Sequence, residues 1–270
     1  MFLPPTIDLG NSEKYILTIR IKPTSFMFSL TEPEVGKNYC LRGTTFERGE
    51  ESLLDNIKKI IFDLNFLTYQ YAQTNVIFVS PDYVFAPTEL YESRLKADLY
   101  NFTSLAHEAF VLTDQSPKYD LQTLYEVDEE VYEFLARSLF SPHFYHHTTS
   151  LIHLLEGRSR STNLHAKMYV NLHDGMTDIM CFSGNKFLSG QSYEDLSPSE
   201  KSYYILKTWE SLGLNQLTDQ LLIAGDLEDE VLDVLREYIK IIERLSAPSE
   251  VFLWHKDAQK APLDLISLSL

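Results

Sequence analysis

The stretch AKMYVNLHDGMTDIMCF, residues 166–182, is where the fold becomes legible. Ala166–Leu172 reads as a strand, Asp174-Gly175 as a turn and Thr177–Phe182 as the next strand. An Asp-Gly pair tolerates the positive φ angles of a tight hairpin, so the two strands are expected to run antiparallel. Lys186–Ser189 suits a third strand. From about Ser197 the period changes: Ser202, Ile205, Leu206, Trp209 and Leu212 fall at offsets 0, 3, 4, 7 and 10, the stripe of a helix. Gly213 is placed to end it in a left-handed conformation. Gln220–Ala224 (QLLIA) is a short apolar run of the kind covered on both faces. Val231, Leu232, Leu235, Tyr238, Ile239 and Ile242 then give helical offsets 0, 1, 4, 7, 8 and 11, and Glu250–Trp254 suits a last strand.

The first half carries the same order. Tyr15, Leu17, Ile19 and Ile21 alternate with Ile16, Thr18 and Arg20, and Pro23 marks a turn. Phe26, Phe28 and Leu30 alternate on a second strand, and Tyr39–Leu41 suits a third. Leu53, Leu54, Ile57, Ile60, Ile61 and Leu64 repeat the offsets 0, 1, 4, 7, 8 and 11, and Asn75–Val79 (NVIFV) is another buried strand. Between the halves we expect helices at Glu89–Asn101, Glu129–Phe140 and Thr149–Leu155. Strands are expected at Ala109–Thr113, Leu121–Val127 and His143–His147, and a polar linker at Arg158–Asn163.

Composition narrows the function classes. Apolar residues make up 44% of the 270 positions, enough for a folded core. Asp and Glu outnumber Lys and Arg by 39 to 23, a net charge of −16. That balance argues against nucleic acid, whose binding needs cations to displace counterions. Ten glycines, none within five positions of another, exclude the Gly-x-Gly-x-x-Gly fingerprint, and no Walker loop is present. Two cysteines, Cys40 and Cys181, are too few for a disulfide framework and suit a reducing compartment. The first residues lack a basic and apolar leader, and no apolar run has membrane-span length, so a cytoplasmic protein without a membrane span is expected.

Three antiparallel strands, a helix, then parallel strands alternating with helices resembles a ribonuclease-H-like unit. Two copies in one chain resemble the actin-like ATPase superfamily, and within it an uncharacterised bacterial family of small proteins. The resemblance implies an α/β fold: two ribonuclease-H-like lobes (βββαβαβα order) in an actin-like ATPase arrangement, reduced in size. It places the first lobe at 12–160 with an aromatic-rich insert at about 80–118, the second lobe at 164–256 and a C-terminal tail at 257–270.

The superfamily binds ATP with Mg²⁺ through a hairpin in each lobe, an Asp ending the first strand and glycines in the turn. In this chain Asn171-Leu172-His173-Asp174-Gly175-Met176-Thr177 resembles the second hairpin, keeping Gly175 and Thr177. Asn171 replaces the leading Asp and brings no charge to a cation, and His173 replaces the first glycine. In the first hairpin Arg20-Ile21-Lys22-Pro23 stands at the Asp-x-Gly position. Arg20 cannot ligate Mg²⁺ and Pro23 has no N–H; Lys22 or Arg20 could bind an anion, but a basic residue at a strand end is more often a solvated edge charge. Leu221–Asp226 resembles the adenosine element with one glycine, Gly225, retained. The acidic run Asp226, Glu228, Asp229 and Glu230 at the next helix start suits capping and repels a neighbouring anion.

Other constellations carry less. His143, His146, His147, His153, His165 and His173 show no metal-ligand spacing, and no metal site is expected. Ser183-Gly184 and Ser189-Gly190 do not form a nucleophile elbow. Glu126, Asp128, Glu129 and Glu130 suit capping of a helix. Aromatics form 13% of the chain; Phe62, Phe66, Tyr69 and Tyr71, and Tyr83, Phe85, Tyr91, Tyr100 and Phe102, fit either an interface or internal packing. We therefore expect a non-catalytic interaction or scaffold protein with no catalytic residues, no cofactor and a protein partner or self-association. The alternative is a divergent ATP-binding switch or ATPase using Lys22, Asn171, Asp174, Gly175, Thr177 and Gly225 with Mg²⁺.

Overall fold

A computed structural model describes residues 3–33, 38–46, 51–103, 110–158, 165–184, 186–245 and 256–269. The chain divides into two compact units, Met1–Ser116 with Leu121–Leu151 and Ala247–Leu270, and Pro117–Asp120 with Ile152–Ser246. The first contains β1 (Ile16–Lys22), β2 (Ser25–Thr31), β3 (Tyr39–Thr45), α1 (Leu53–Asp63) and β4 (Gln73–Phe78). It continues with β5 (Tyr83–Pro87), α2 (Lys96–Thr103), β6 (Val111–Ser116), β7 (Leu121–Glu126), α3 (Glu129–Ser138) and β8 (Pro142–His146). Helix α4 (His147–Arg158) follows, and then β9 (Ala166–His173), β10 (Met176–Ser183), β11 (Lys186–Glu194) and α5 (Pro198–Ser211). The second unit ends with β12 (Gln220–Gly225), α6 (Asp229–Tyr238) and β13 (Ile241–Arg244), after which α7 (Leu263–Ser267) returns to the first.

The repeat seen in the sequence is a repeat of topology. One sheet has the order β3-β2-β1-β4-β8 and the other β11-β10-β9-β12-β13. In each, the first three strands are antiparallel and the last two run parallel to the central one. The apolar stripes pack as their spacing requires. Leu17, Ile19 and Ile21 meet Ile57 and Ile61 of α1 and Val131 and Leu135 of α3. Met168, Val170 and Leu172 meet Ile205 and Trp209 of α5 and Val231 and Leu235 of α6. The insert is a separate sheet in the order β5-β7-β6, with Tyr100 of α2 packed on Val111 and Leu124.

Ser197 begins α5 with a capping box: its hydroxyl takes the Glu200 N–H while the Glu200 carboxylate takes the Ser197 N–H. Both orphan donors are satisfied, so Ser197→Ala should cost about 1 kcal/mol in urea denaturation. A loss below about 0.3 kcal/mol would mean that the box contributes nothing.

Three expectations are corrected. The stripe from Val231 to Ile242 is a helix only to Tyr238; Ile239 is extended (φ −120°, ψ 122°) and β13 pairs in parallel with β12. Ile239, Ile241 and Ile242 are β-branched and prefer the pleated backbone once a neighbouring strand edge is available. The helix expected at Glu89–Asn101 is two 3₁₀ turns, Thr88–Leu90 and Ser93–Leu95, followed by α2. The expected tail at 257–270 is part of the first unit: Leu263, Asp264, Leu265 and Ile266 are all buried. Strand β5 was not anticipated. Arg158 of the expected linker ends α4, whereas 159–163 and the strand at Glu250–Trp254 lie outside the described residues.

The aromatics divide between the two uses expected of them. Phe66, Tyr71 and Tyr100 are buried, while Phe62 is 73% and Phe102 89% exposed.

Candidate functional site

The second hairpin turns through Asp174 (φ 47°) and Gly175 (φ 76°), both in the left-handed region that a two-residue turn between right-twisted strands demands. His173 and Met176 are the last pair before it. Alternation places Asn171, His173, Asp178 and Ser192 on one face, with Asn171 opposite Asp178 and Asp178 opposite Ser192. The Asp178 carboxylate collects all three neighbours. Asn171 Nδ2 donates to Oδ2 at 3.1 Å, His173 Nε2 lies 3.1 Å from the same oxygen, and Ser192 Oγ donates to Oδ1 at 2.7 Å. Asp178 is 1% exposed, so its charge is held by these contacts rather than by water. Thr177 pairs with Leu172 and is wholly buried. Asp174 and Gly175 remain exposed.

The first hairpin overturns one expectation. Lys22 and Ser25 pair across the turn, but neither Arg20 nor Lys22 is a solvated edge charge; both are buried. At Arg20 the reason is α7, which lies against β1. Arg20 Nε donates to Asp264 Oδ2 at 2.7 Å, with both side chains at 1% exposure or less. Asp264 Oδ1 also accepts the Leu265 N–H at 3.0 Å. Arg42 Nη1 reaches Asp257 Oδ2 at 2.9 Å, and Ser267 Oγ donates to the Ser150 carbonyl at 2.7 Å, so the segment is fastened at three points. Where the resemblance asks for a carboxylate facing a cation, this chain has a guanidinium facing its own carboxylate.

At the third element, Gly225 (φ 84°) sits opposite Leu172. A Cβ there would lie 1.7 Å from the Leu172 carbonyl oxygen, and the Asp226 N–H bonds that same oxygen at 3.1 Å. The glycine is required by the chain's own backbone. Glu228 precedes α6 without a side-chain cap; its carboxylate meets Lys201 Nζ at 2.6 Å, and that hydrogen bond lowers its pKa. Asn171, Asp174, Gly175 and Thr177 thus share one hairpin with Gly225 beside it, while Lys22 belongs to the other unit.

The histidine cluster is partly core. His146 and His147 are fully buried, with His146 Nδ1 2.7 Å from Thr148 Oγ1 and its ring packed on Tyr83 and Tyr125. Among the described residues no three His, Cys, Asp or Glu side chains are grouped to hold a metal ion. Both cysteines are free and buried, and burial pushes their thiols up, Cys40 to about 11 and Cys181 to about 12, so neither is a reactive thiolate. Asp178 and Asp264 were missed in the sequence. Each lies inside an apolar run, TDIMCF and PLDLIS, and an aspartate there is the signal that a buried partner awaits it.

The comparisons with known proteins agree with this frame. The family described as "Protein of unknown function (DUF3822)" matches residues 4–242. The chain belongs to that family. No curated protein matches it. A crystal structure from Bacteroides thetaiotaomicron, of a protein with actin-like ATPase fold and unknown function, is similar at a TM-score of 0.83 and 25% identity, covering 98% of each chain. The PilM–PilN type IV pilus biogenesis complex is similar at a TM-score of 0.63 and 11% identity, covering 94% of this chain and 97% of that one. This member of the family therefore has the actin-like ATPase fold. Among the described residues no helix is long and apolar enough to cross a membrane.

Proposed function

We propose that this protein is a non-catalytic member of the actin-like fold that works through protein–protein contacts, its phosphate-facing positions having become internal structure. The observation that carries this reading is the buried Arg20–Asp264 pair at the first hairpin. Magnesium-assisted phosphoryl transfer needs carboxylates to position the cation, and a guanidinium there repels it. The second hairpin supports the same reading, because Asn171 spends its donor on Asp178 and Thr177 faces the core.

Partner binding has its own support. Phe62 and Phe102 present large exposed rings, and a groove of about 590 Å³ on the second unit is lined by Tyr203, Leu206, Trp209, Leu214 and Tyr238. Aromatic side chains of this kind give contact area at low entropic cost. PilM, of similar fold, is known in complex with PilN.

A thermal-shift titration with Mg-ATP, ADP and GTP tests the nucleotide half of the proposal. A ligand at 1 mM with ~10 μM affinity would stabilise by about 2.7 kcal/mol, a rise of several degrees. We expect a shift below about 1 °C. A larger shift that Thr177→Arg abolishes would establish the alternative, an ATP-binding switch through Lys22, Asn171, Asp174, Gly175, Thr177 and Gly225. For the interaction half, a strictly monomeric protein that captures nothing in a crosslinked pull-down would count against us.

A further inference from the structure

A second site, which shares no residue with either hairpin, lies in the first unit where the edges of two sheets meet. β6 is an edge of the insert sheet and β8 an edge of the first large sheet. Between them is a cavity of about 420 Å³. Its wall carries Asp114 together with Tyr125, Tyr132, Phe144 and Tyr145, and among the described residues neither lysine nor arginine lines it.

Asp114 is the unusual member. Its Oδ1 accepts the Tyr125 hydroxyl at 3.1 Å, its Oδ2 accepts the His146 N–H at 2.6 Å, and it is 7% exposed. Among the described residues it makes no ion pair, whereas Asp264 has Arg20. Burial pushes its carboxyl up to about 7, against hydrogen bonding from the His146 N–H and the Thr149 and Tyr125 hydroxyls that holds it down. A buried carboxylate without a cation is costly, and its roughly four acceptor sites outnumber these three donors. Aromatic rings line the same cavity, Tyr132 and Phe144 packed at 4.7 Å between centroids, and an aromatic face attracts positive charge. The net charge of −16 draws cations toward the surface as a whole.

We propose that this cavity binds an organic cation, an alkyl ammonium or guanidinium, with its charge on Asp114 and its carbon chain against Tyr132, Phe144 and Tyr145. The proposal is independent of whether the hairpins bind nucleotide. The chemistry is common to a free amine and to a lysine or arginine side chain of another protein, and the experiment separates the two.

The full chain is titrated at pH 8 by calorimetry with butylamine, butylguanidine, and the N-acetyl methylamides of lysine and arginine. Butanol and butyrate serve as neutral and anionic isosteres. Saturable binding of the cations alone is expected. Tighter binding of the free amines would point to a small-molecule ligand, and tighter binding of the amino-acid amides to a protein side chain; equal binding would mean that the site reads only the cationic head.

Asp114→Asn should weaken the cation at least tenfold while keeping side-chain volume. Should that variant fail to fold, Tyr132→Leu in the cavity wall should weaken it about threefold, as expected for loss of a cation–π contact. Lowering the pH from 8 to 5.5 should weaken binding about tenfold or more as Asp114 takes up its proton. The titratable groups around Asp114 are Tyr125, Tyr132 and Tyr145 with His143 and His146, so His143→Gln must preserve that pH dependence. Absence of saturable binding at pH 8, equal binding of butanol, or undiminished binding in the folded Asp114→Asn or Tyr132→Leu variant would overturn the proposal.

Discussion

Arg20→Ala is expected to lower the stability of the first unit by about 3–5 kcal/mol, because it leaves Asp264 charged, buried and without its partner. That is a large fraction of the roughly 5–15 kcal/mol that holds a typical domain together. The melting midpoint should fall by several degrees. The loss comes from an orphaned charge rather than from a missing attraction, and this distinction can be measured. Replacing both partners, Arg20→Met with Asp264→Leu, removes the desolvated charges together and should recover most of the lost stability. A single variant that melts within 1 °C of the parent, or a double variant no better than the single, would show that the pair is not what holds α7 on β1. The same result bears on function, since the proposal treats this pair as the structural successor of a cation-binding position.

Gly225→Ala should be nearly as damaging for a different reason. At φ 84° an L residue is strained, and the added Cβ would lie 1.7 Å from the Leu172 oxygen and 2.7 Å from its carbonyl carbon. Those atoms are backbone in a paired strand and cannot swing aside. Strain and forced displacement each cost about 1–3 kcal/mol, so a total near 4 kcal/mol is expected in chemical denaturation. Gly213→Ala provides the control. Gly213 has a similar φ of 64° but open space where its Cβ would go, so only about 1 kcal/mol should be lost. Equal costs at the two positions would mean that backbone angle, and not the close approach to Leu172, explains Gly225.

The contrast matters for reading degenerate sites. A glycine at a position that resembles a nucleotide-binding pattern looks like a functional residue, yet Gly225 is dictated by the way β12 leaves β9. Gly175 is dictated by a two-residue turn. The positions that a phosphate would use and the positions that the chain needs for itself are separable only when the surrounding backbone is known.

Local periodicity carried the fold. Strand alternation in 15–21 and 166–182, and the offsets of α1, α5 and the first part of α6, depend on side chains a few residues apart, so the doubled pattern and the actin-like resemblance were visible in one dimension. The same reasoning failed at Ile239–Ile242, where apolar spacing suits either a helix or a strand and the free edge of β12 decides. It failed more consequentially at Arg20. Its partner Asp264 lies 244 positions away, and no window of sequence couples the two. Asp114 was missed for the same reason: the strand was expected to end at Thr113, and only the meeting of the β6 and β8 edges encloses the next residue.

By itself, then, the sequence determined the order of elements and the two apolar cores, because these are properties of neighbouring residues. Tertiary structure alone decided what surrounds the two hairpins. Burial and charge pairing are set by whichever segment comes to lie opposite, and here a C-terminal helix turned the basic face of β1 from a solvated edge into the inside of the protein.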